Sequence, residues 1–206
     1  ENVNDTPVAV GDTFTLVQAS TFSVAAPGVL KNDTDADLTP LTAVNYSLPS
    51  IGSIVGSADG SFVYKPPTTN FIGSANFTYR ASDGELTSDA VKVTINVIAN
   101  RPPLAKDDTV NARARKHGEL YRPIPIYILL NDKDPDSEFD PANKIAPDTL
   151  TIVTQPNNRG KLTTSPTGRV SYTPEINFKG IDKFTYNVKD TRKAISNTVT
   201  VQVNVK

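Results

Sequence analysis

The sequence VLKNDTDAD at residues 29–37 recurs as ILLNDKDPD at residues 128–136, and this repetition decides the fold. In both copies two apolar residues and one further residue precede Asn-Asp, and aspartates then follow at every second position. A chain of 206 residues has room for two small domains. A repeat of this kind indicates tandem copies of one module.

Further matches extend the repeat over nearly the whole chain and keep the same order in both copies. They predict one module over residues 1–99 and a second over residues 100–206, the second lengthened by an inserted loop at 137–149. The first copy has Asn4, Pro7, Ala9, Asp12, Gly60, Tyr64, Pro66, Phe71, Gly73, Phe77, Tyr79 and Asp83, and these match Asn100, Pro103, Ala105, Asp108, Gly168, Tyr172, Pro174, Phe178, Gly180, Phe184, Tyr186 and Asp190.

Short β-forming runs fill each copy, and no stretch has the period of an amphipathic helix. In the run at 199–205 every second residue is Val, which is typical of an antiparallel sheet with one buried face. The chain has 16 prolines and 11 glycines to separate such strands. We therefore predict an all-β chain of two tandem Greek-key β-sandwiches. The short linker at 98–103, stiffened by two prolines, favours an extended arrangement.

The aromatic residues are assigned to the sandwich cores, because they recur at the positions where both copies need a core. A platform for stacking carbohydrate is the alternative. The aromatic set is Tyr64, Phe77, Tyr79, Tyr172, Phe184 and Tyr186.

Composition excludes several classes of site. The chain has no cysteine, so neither disulfides nor a Cys zinc site can stabilise it. Its one histidine, His117, excludes a His-rich metal site. Every apolar run is shorter than the roughly 20 residues that cross a bilayer, so we expect no membrane insertion. The second copy is the more basic, but its Lys and Arg residues are scattered, and we expect no binding of nucleic acid.

The aspartates of the two repeated loops are the best candidates for chemistry. Calcium takes six to eight oxygen ligands, often from alternating Asp side chains in a loop. Neither loop has the glycine and terminal glutamate of an EF-hand. The alternative is a solvated turn rich in Asn and Asp, and magnesium fits such a flexible loop less well. The loop candidates are Asp33, Asp35 and Asp37 in the first copy and Asp132, Asp134 and Asp136 in the second.

Strand order brings further aspartates to the same end of each module. The acidic loop follows the second strand, which returns the chain to the end where it began, and the sixth strand delivers another aspartate there. Like charges this close repel, and a bound divalent cation would remove that cost; partial protonation or outward splay of the side chains are the alternatives. In the second copy the Asn100 side chain could also bind the ion. These added candidates are Asp12 and Asp83 in the first copy and Asp107, Asp108 and Asp190 in the second.

The order of these motifs, N-x-x-P-x-A-x-x-D, L-x-N-D-x-D-x-D, G-x-x-x-Y-x-P, F-x-G and F-x-Y, resembles the bacterial cadherin-like tandem repeats. The resemblance implies Ig-like modules of large secreted surface proteins, calcium at the acidic loops, and a spacer or adhesive role. It implies an extracellular location and neighbouring repeats of a longer chain as partners, with a cell-surface protein or polysaccharide as a further partner. As a fragment the chain is expected to be monomeric.

Two other classes of function compete with an adhesive module. A carbohydrate-binding module attached to a polysaccharide-active protein is the alternative, since the inserted loop with Phe139 could build a sugar site. Glycoside hydrolysis needs two carboxylates at a defined separation. Because the clustered aspartates recur in both copies, and a catalytic pair is expected in only one, we predict that the chain is not an enzyme.

Overall fold

The computed structural model describes residues 3–19 and 21–206. The chain divides into two compact units, Glu1–Ala99 and Asn100–Lys206, called unit 1 and unit 2 below. Within the described residues there is no α-helix, and one short 3-10 turn spans Gly28–Leu30. No helix in this part of the chain is long and apolar enough to span a membrane.

Unit 1 is a sandwich of a four-stranded and a three-stranded sheet. The four-stranded sheet has the order β1-β7-β6-β3 and the other the order β2-β5-β4. β1 runs parallel to β7, whereas the remaining pairs are antiparallel. The strands are β1 (Asp12–Val17), β2 (Phe22–Val24), β3 (Thr42–Val44), β4 (Ser53–Gly56), β5 (Phe62–Lys65), β6 (Gly73–Ser82) and β7 (Val91–Ile98).

Unit 2 repeats this topology strand for strand. Its sheets have the orders β10-β13-β14-β8 and β11-β12-β9, and β8 is parallel to β14. The prediction of two tandem β-sandwiches is therefore confirmed. The strands are β8 (Asp108–Ala112), β9 (Ile124–Ile126), β10 (Ile145–Thr154), β11 (Lys161–Thr164), β12 (Val170–Thr173), β13 (Gly180–Asp190) and β14 (Val199–Val205).

The core of each unit lies between its two sheets. In unit 1 the Phe62 ring on β5 meets the Phe77 ring on β6 edge to face, with centroids 5.4 Å apart. Along β14 every second residue is buried, as the alternating valines predict. The six aromatic residues assigned to the cores are all buried, so that assignment is confirmed.

The repeated glycine of the G-x-x-x-Y motif is required by a close backbone approach. Gly60 has φ +81°, and a Cβ there would lie 2.0 Å from the Pro27 carbonyl oxygen. Gly168, its counterpart, has φ +74°. Glycine adopts such angles without the steric penalty that other residues incur.

The inserted segment at 137–149 is only partly a loop, because β10 begins at Ile145. Ile145 pairs with Asp190 on β13, and the register then shifts before pairing resumes at Thr151. Pro147, which lacks an N–H, lies inside this irregularity. The Thr149 hydroxyl accepts a 2.9 Å hydrogen bond from the Lys189 amide there. The expected loop therefore ends five residues earlier, since its last part extends the sheet.

Candidate functional site

Backbone pairing brings the acidic loop of each unit beside the segment that precedes the first strand. In unit 1 Val8 and Thr34 form an antiparallel bridge, and in unit 2 Leu104 and Lys133 form the equivalent one. The aspartates gathered there are called the acidic pole of each unit. For unit 1 they are Asp12, Asp33, Asp35, Asp37 and Asp83, and for unit 2 they are Asp108, Asp132, Asp134, Asp136 and Asp190.

The inner part of the unit 1 acidic pole is attached to the core through a tyrosine. The Tyr79 hydroxyl lies 2.6 Å from the Val29 carbonyl oxygen and 2.8 Å from Asp33 Oδ2, so its proton is held between two acceptors. The Val10 amide donates to Asp33 Oδ1 over 2.9 Å. Asp33 is therefore fixed by contacts to two separate segments of the chain.

Unit 2 has the same inner arrangement. The Tyr186 hydroxyl lies 2.8 Å from the Ile128 carbonyl oxygen and 2.9 Å from Asp132 Oδ2. The Lys106 amide donates to Asp132 Oδ1 over 2.9 Å. The repeated aromatic of the F-x-Y motif thus fills the core with its ring and contacts the acidic loop with its hydroxyl.

The first carboxylate of each acidic pole is held in an unfavourable setting for its charge. Burial, and then repulsion by Asp33, raise the pKa of Asp12 from 3.8 to about 6. Burial, and then repulsion by Asp132, raise the pKa of Asp108 to about 6 as well. Both carboxylates are partly buried beside another carboxylate, and a bound metal ion would relieve that repulsion.

In the outer part of each acidic pole, the aspartates accept hydrogen bonds from backbone amides and from an asparagine side chain. In unit 1 Asn4 Nδ2 donates to Asp83 Oδ2 over 2.9 Å. The Asp5 amide donates to Asp37 Oδ2 over 2.6 Å, and the Asp37 amide donates to Asp35 Oδ1 over 2.9 Å. Asp37 and Asp83 thereby contact the same short segment, Asn4 and Asp5, and Asp35 contacts the Asp37 amide.

Unit 2 reproduces these contacts with nearly the same distances. Asn100 Nδ2 donates to Asp190 Oδ2 over 2.8 Å. The Arg101 amide donates to Asp136 Oδ2 over 2.6 Å, and the Asp136 amide donates to Asp134 Oδ1 over 2.9 Å. Asp190 therefore has the role of Asp83, although the turn that follows it has a different sequence.

Several buried oxygens at the acidic poles have no hydrogen-bond partner among the described residues. Asp35 Oδ2 and Asp134 Oδ2, at equivalent positions, are both of this kind, and so are Asp12 Oδ2 and Asn131 Oδ1. Asp35 is 8% exposed and Asp134 is 7% exposed. Burial, and then repulsion by Asp190 and Asp136, raise the pKa of Asp134. An unpaired buried carboxylate oxygen is costly, and this one recurs at the same position in both units.

The donor chemistry of the acidic poles fits a hard cation such as calcium, which prefers carboxylate and carbonyl oxygens. Open clefts reach Asp33 and Asp35 in unit 1 and Asp132 and Asp134 in unit 2, so an ion has a path to them. The side chains do not form a finished cage. Across residues 3–19 and 21–206, no three of the His, Cys, Asp and Glu side chains are grouped as a metal site. Binding would therefore require small movements of the loop carboxylates.

Two of the predicted candidates have other contacts. The Asp107 side chain accepts a 2.8 Å hydrogen bond from the Thr200 amide, which fastens it to the start of β14. Asn100 uses both ends of its amide, donating to Asp190 and accepting from Asn143 over 2.6 Å. Of these two, Asn100 lies at the acidic pole and Asp107 lies beside it.

Three residues at the acidic poles were not among the sequence-based candidates. Arg101 forms an ion pair with Asp136, with 2.6 Å between Nε and Oδ1. Asn143, fully buried, donates to Asn100 and more weakly to Asp136 at 3.4 Å. Asp5 stands at the position of Arg101 in the repeat, and that alignment was visible in the sequence. Nothing in the sequence marked Asn143, because it lies in the insertion, which has no counterpart in unit 1.

Phe139, on which a carbohydrate site was predicted to depend, packs against this ion pair. The guanidinium carbon of Arg101 lies 5.7 Å from the centre of its ring. A sugar would need an open ring face, and this contact covers one face. The carbohydrate-binding alternative stays a prediction.

A family model described as bacterial cadherin-like domain matches residues 4–99 and again residues 100–206. Integrin beta-like protein E of Dictyostelium discoideum is 27% identical over 179 residues, which cover 81% of this chain and 9% of that protein. The chain thus spans less than a tenth of that relative.

Solved structures similar to the chain include proteins of two kinds. One is an endo-fucoidan hydrolase of glycoside hydrolase family 107, at 19% identity and a TM-score of 0.38, with 98% of this chain and 29% of that one covered. Another is the EC1-2 segment of human mucin-like protocadherin, at 15% identity and a TM-score of 0.38, with 97% and 98% covered.

Proposed function

The chain belongs to the family of bacterial cadherin-like domains as two tandem members, and from that premise we propose that it is a calcium-stabilised structural and adhesive repeat module. On this proposal, the chain is part of a bacterial protein that is located at the cell surface or is secreted. The cadherin-like family is non-catalytic, and the proposal assigns no reaction to the chain.

One observation carries the calcium part of the proposal. Asp35 and Asp134 occupy the same position in the two units, are more than nine-tenths buried, and each leave Oδ2 without a hydrogen-bond partner in the described part of the chain. Burying an unpaired carboxylate oxygen costs free energy. Its occurrence at the same repeated position in both units is therefore hard to explain by chance. A divalent cation supplies the missing partner.

The aspartates of each acidic pole would hold the ion. In unit 1 these are the outer Asp35, Asp37 and Asp83, with Asp12 and Asp33 supplying charge from the inner side. Calcium would offset the repulsion among them and join the N-terminal segment, the acidic loop and the β6–β7 turn. Because these segments come from separate parts of the chain, a shared ion would stabilise the folded unit over the unfolded one.

We propose neighbouring repeats of a longer chain as its first partners, and a cell-surface protein or a polysaccharide as a further partner. Support for the first comes from the repeat itself, since such modules occur here as consecutive copies of one topology. The polysaccharide has no comparable support at the described residues.

Calorimetric titration of the full chain with calcium tests the proposal. We expect heat of binding in the wild type and its loss at both sites in the Asp35→Asn and Asp134→Asn double variant, which keeps the side-chain shape and removes the charge. Glu175→Gln is the matched control, because Glu175 lies in the β12–β13 loop, where its side chain accepts a hydrogen bond from the Ile176 amide. The absence of any calcium-binding heat in the wild type would refute the proposal.

A further inference from the structure

The two acidic poles share one backbone framework, but the residue after the conserved asparagine has opposite charges in the two units. The Asp5 amide donates to Asp37 Oδ2 and the Arg101 amide donates to Asp136 Oδ2, both over 2.6 Å. The main chain is therefore equivalent at these two positions. Unit 1 has an acidic side chain there and unit 2 has a basic one.

The Arg101 side chain is fixed at the unit 2 acidic pole by three contacts. Its Nε lies 2.6 Å from Asp136 Oδ1, and its Nη2 donates to the Pro135 carbonyl oxygen over 2.7 Å. Its guanidinium also lies over the Phe139 ring. Arginine suits this role because its planar group stacks on an aromatic ring while it donates to a carboxylate.

The ion pair joins a half-exposed guanidinium to a buried carboxylate. The Asp136 side chain is fully buried, whereas the Arg101 side chain is 48% exposed. Asp136 receives hydrogen bonds on both oxygens, from the Arg101 side chain on Oδ1 and from the Arg101 amide on Oδ2. The guanidinium therefore already pairs with the carboxylate that a metal ion would use.

The two units also differ in the charge of a residue in the turn after the sixth strand. Arg192 of unit 2 follows Asp190 by two residues, as Glu85 follows Asp83 in unit 1. Arg192 forms an ion pair with Asp140 of the inserted segment. Unit 2 therefore has guanidinium groups at two positions where unit 1 has carboxylates.

We propose that Arg101 is a built-in cation of the unit 2 acidic pole, so that unit 1 is the tighter calcium site of the two. The inference rests on the proposed calcium function and names which unit responds to the ion. A fixed guanidinium repels an incoming divalent cation and occupies the carboxylate that would bind it. At separations of several ångströms near a protein surface, such repulsion is worth roughly tenfold or more in affinity.

Hydrogen–deuterium exchange of the full chain across a calcium titration tests this, since peptides report each acidic pole separately. In the wild type, we expect peptides over 4–12, 32–39 and 82–88 to become protected at about tenfold or more lower calcium than peptides over 100–108, 131–144 and 189–196. Arg101→Gln should lower the midpoint of the unit 2 peptides toward that of unit 1. Asp5→Arg should raise the midpoint of the unit 1 peptides.

Two variants serve as controls. Arg101→Lys keeps the charge and should leave the order of the midpoints unchanged. Arg113→Gln removes an exposed arginine of unit 2 that pairs with Glu119, and should change neither midpoint. If Arg101→Gln fails to fold because Asp136 is left unpaired, Asp5→Arg decides the question, since Asp5 is exposed and its side chain can be replaced.

The outcomes separate this inference from the function on which it rests. Equal midpoints in the wild type, protection of unit 2 before unit 1, or an unchanged unit 1 midpoint in Asp5→Arg would overturn the inference and leave calcium binding standing. A lack of calcium-dependent protection in both units would overturn the calcium function and the inference with it.

Discussion

The Tyr79 hydroxyl lies 2.8 Å from Asp33 Oδ2, and this contact joins the hydrophobic core of unit 1 to its acidic pole. Tyr186 and Asp132 repeat the relationship in unit 2 at 2.9 Å. Since each tyrosine ring is fully buried, the core holds in place the hydroxyl group that contacts the carboxylate. The core thus sets the position of one aspartate in each loop.

Removing the Tyr186 hydroxyl should destabilise unit 2. Tyr186→Phe leaves the Ile128 carbonyl oxygen and Asp132 without their shared donor, and we expect a loss of about 1–2 kcal/mol in the free energy of unfolding. Urea unfolding followed by peptide-resolved hydrogen exchange measures it for unit 2 alone. Tyr127→Phe is the control, because Tyr127 is exposed, and it should have no measurable effect. An equal effect of the two substitutions would contradict the assignment.

Acid should stabilise the metal-free protein over a defined range. The folded-state pKa values of Asp12 and Asp108 are about 6, above the ordinary 3.8, so the folded state binds more protons between these values. Stability contributed by these groups is therefore present below about pH 4 and lost as the pH rises through about 6.

Thermal unfolding in chelator from pH 4 to 7 measures this dependence. Subtracting the curve of the Asp12→Asn and Asp108→Asn double variant isolates the two groups from all other carboxylates. We expect the wild type to lose stability relative to the variant as the pH rises. If the stability difference between wild type and variant stays constant with pH, or changes in the opposite direction, the pKa values of the two carboxylates are not raised in the folded state.

Leu38, directly after the unit 1 acidic loop, is in the left-handed region with φ +59° and is 88% exposed. Leucine adopts this conformation at a cost of about 1–2 kcal/mol, whereas asparagine tolerates it. Leu38→Asn should therefore raise the free energy of unfolding by about 0.5–1 kcal/mol in chemical denaturation.

The matched control for this substitution is Leu48→Asn, since Leu48 is 91% exposed and is not among the residues of positive φ. It should leave stability unchanged. A gain of the same size at both positions would mean that removing an exposed apolar side chain, and not relief of backbone strain, explains the effect.

The fold could be predicted from the sequence because its main determinants are local or repeated. Alternating valines at 199–205 fix which face of β14 is buried, and the repeated Gly60 and Gly168 mark one backbone approach twice. Because each motif occurs twice, the role assigned to a residue in one copy can be compared with the equivalent residue in the other copy. The early start of β10 could not be predicted, since it depends on pairing with β13 and on one irregularity at Pro147.

The acidic poles could be predicted as sets of residues but not as arrangements. Strand order indicates which aspartates share an end of a sandwich, whereas hydrogen bonds decide which of their oxygens remain unpaired. Asp107 illustrates the limit, because its neighbour Asp108 is equally acidic in sequence and only packing turns Asp107 toward Thr200. The ion pair of Arg101 likewise depends on side-chain conformations, which the pattern of residues along the sequence does not determine.

The most direct test of the account is the melting temperature of the full chain in calcium and in chelator, with magnesium at equal ionic strength as the reference. A site that binds only the folded state adds about 2.7 kcal/mol when the ion is at 100 times its dissociation constant. For a unit of this size the account predicts a calcium-specific rise of several degrees, about 5 °C or more, in at least the transition of unit 1. Identical melting temperatures in calcium, magnesium and chelator would contradict it.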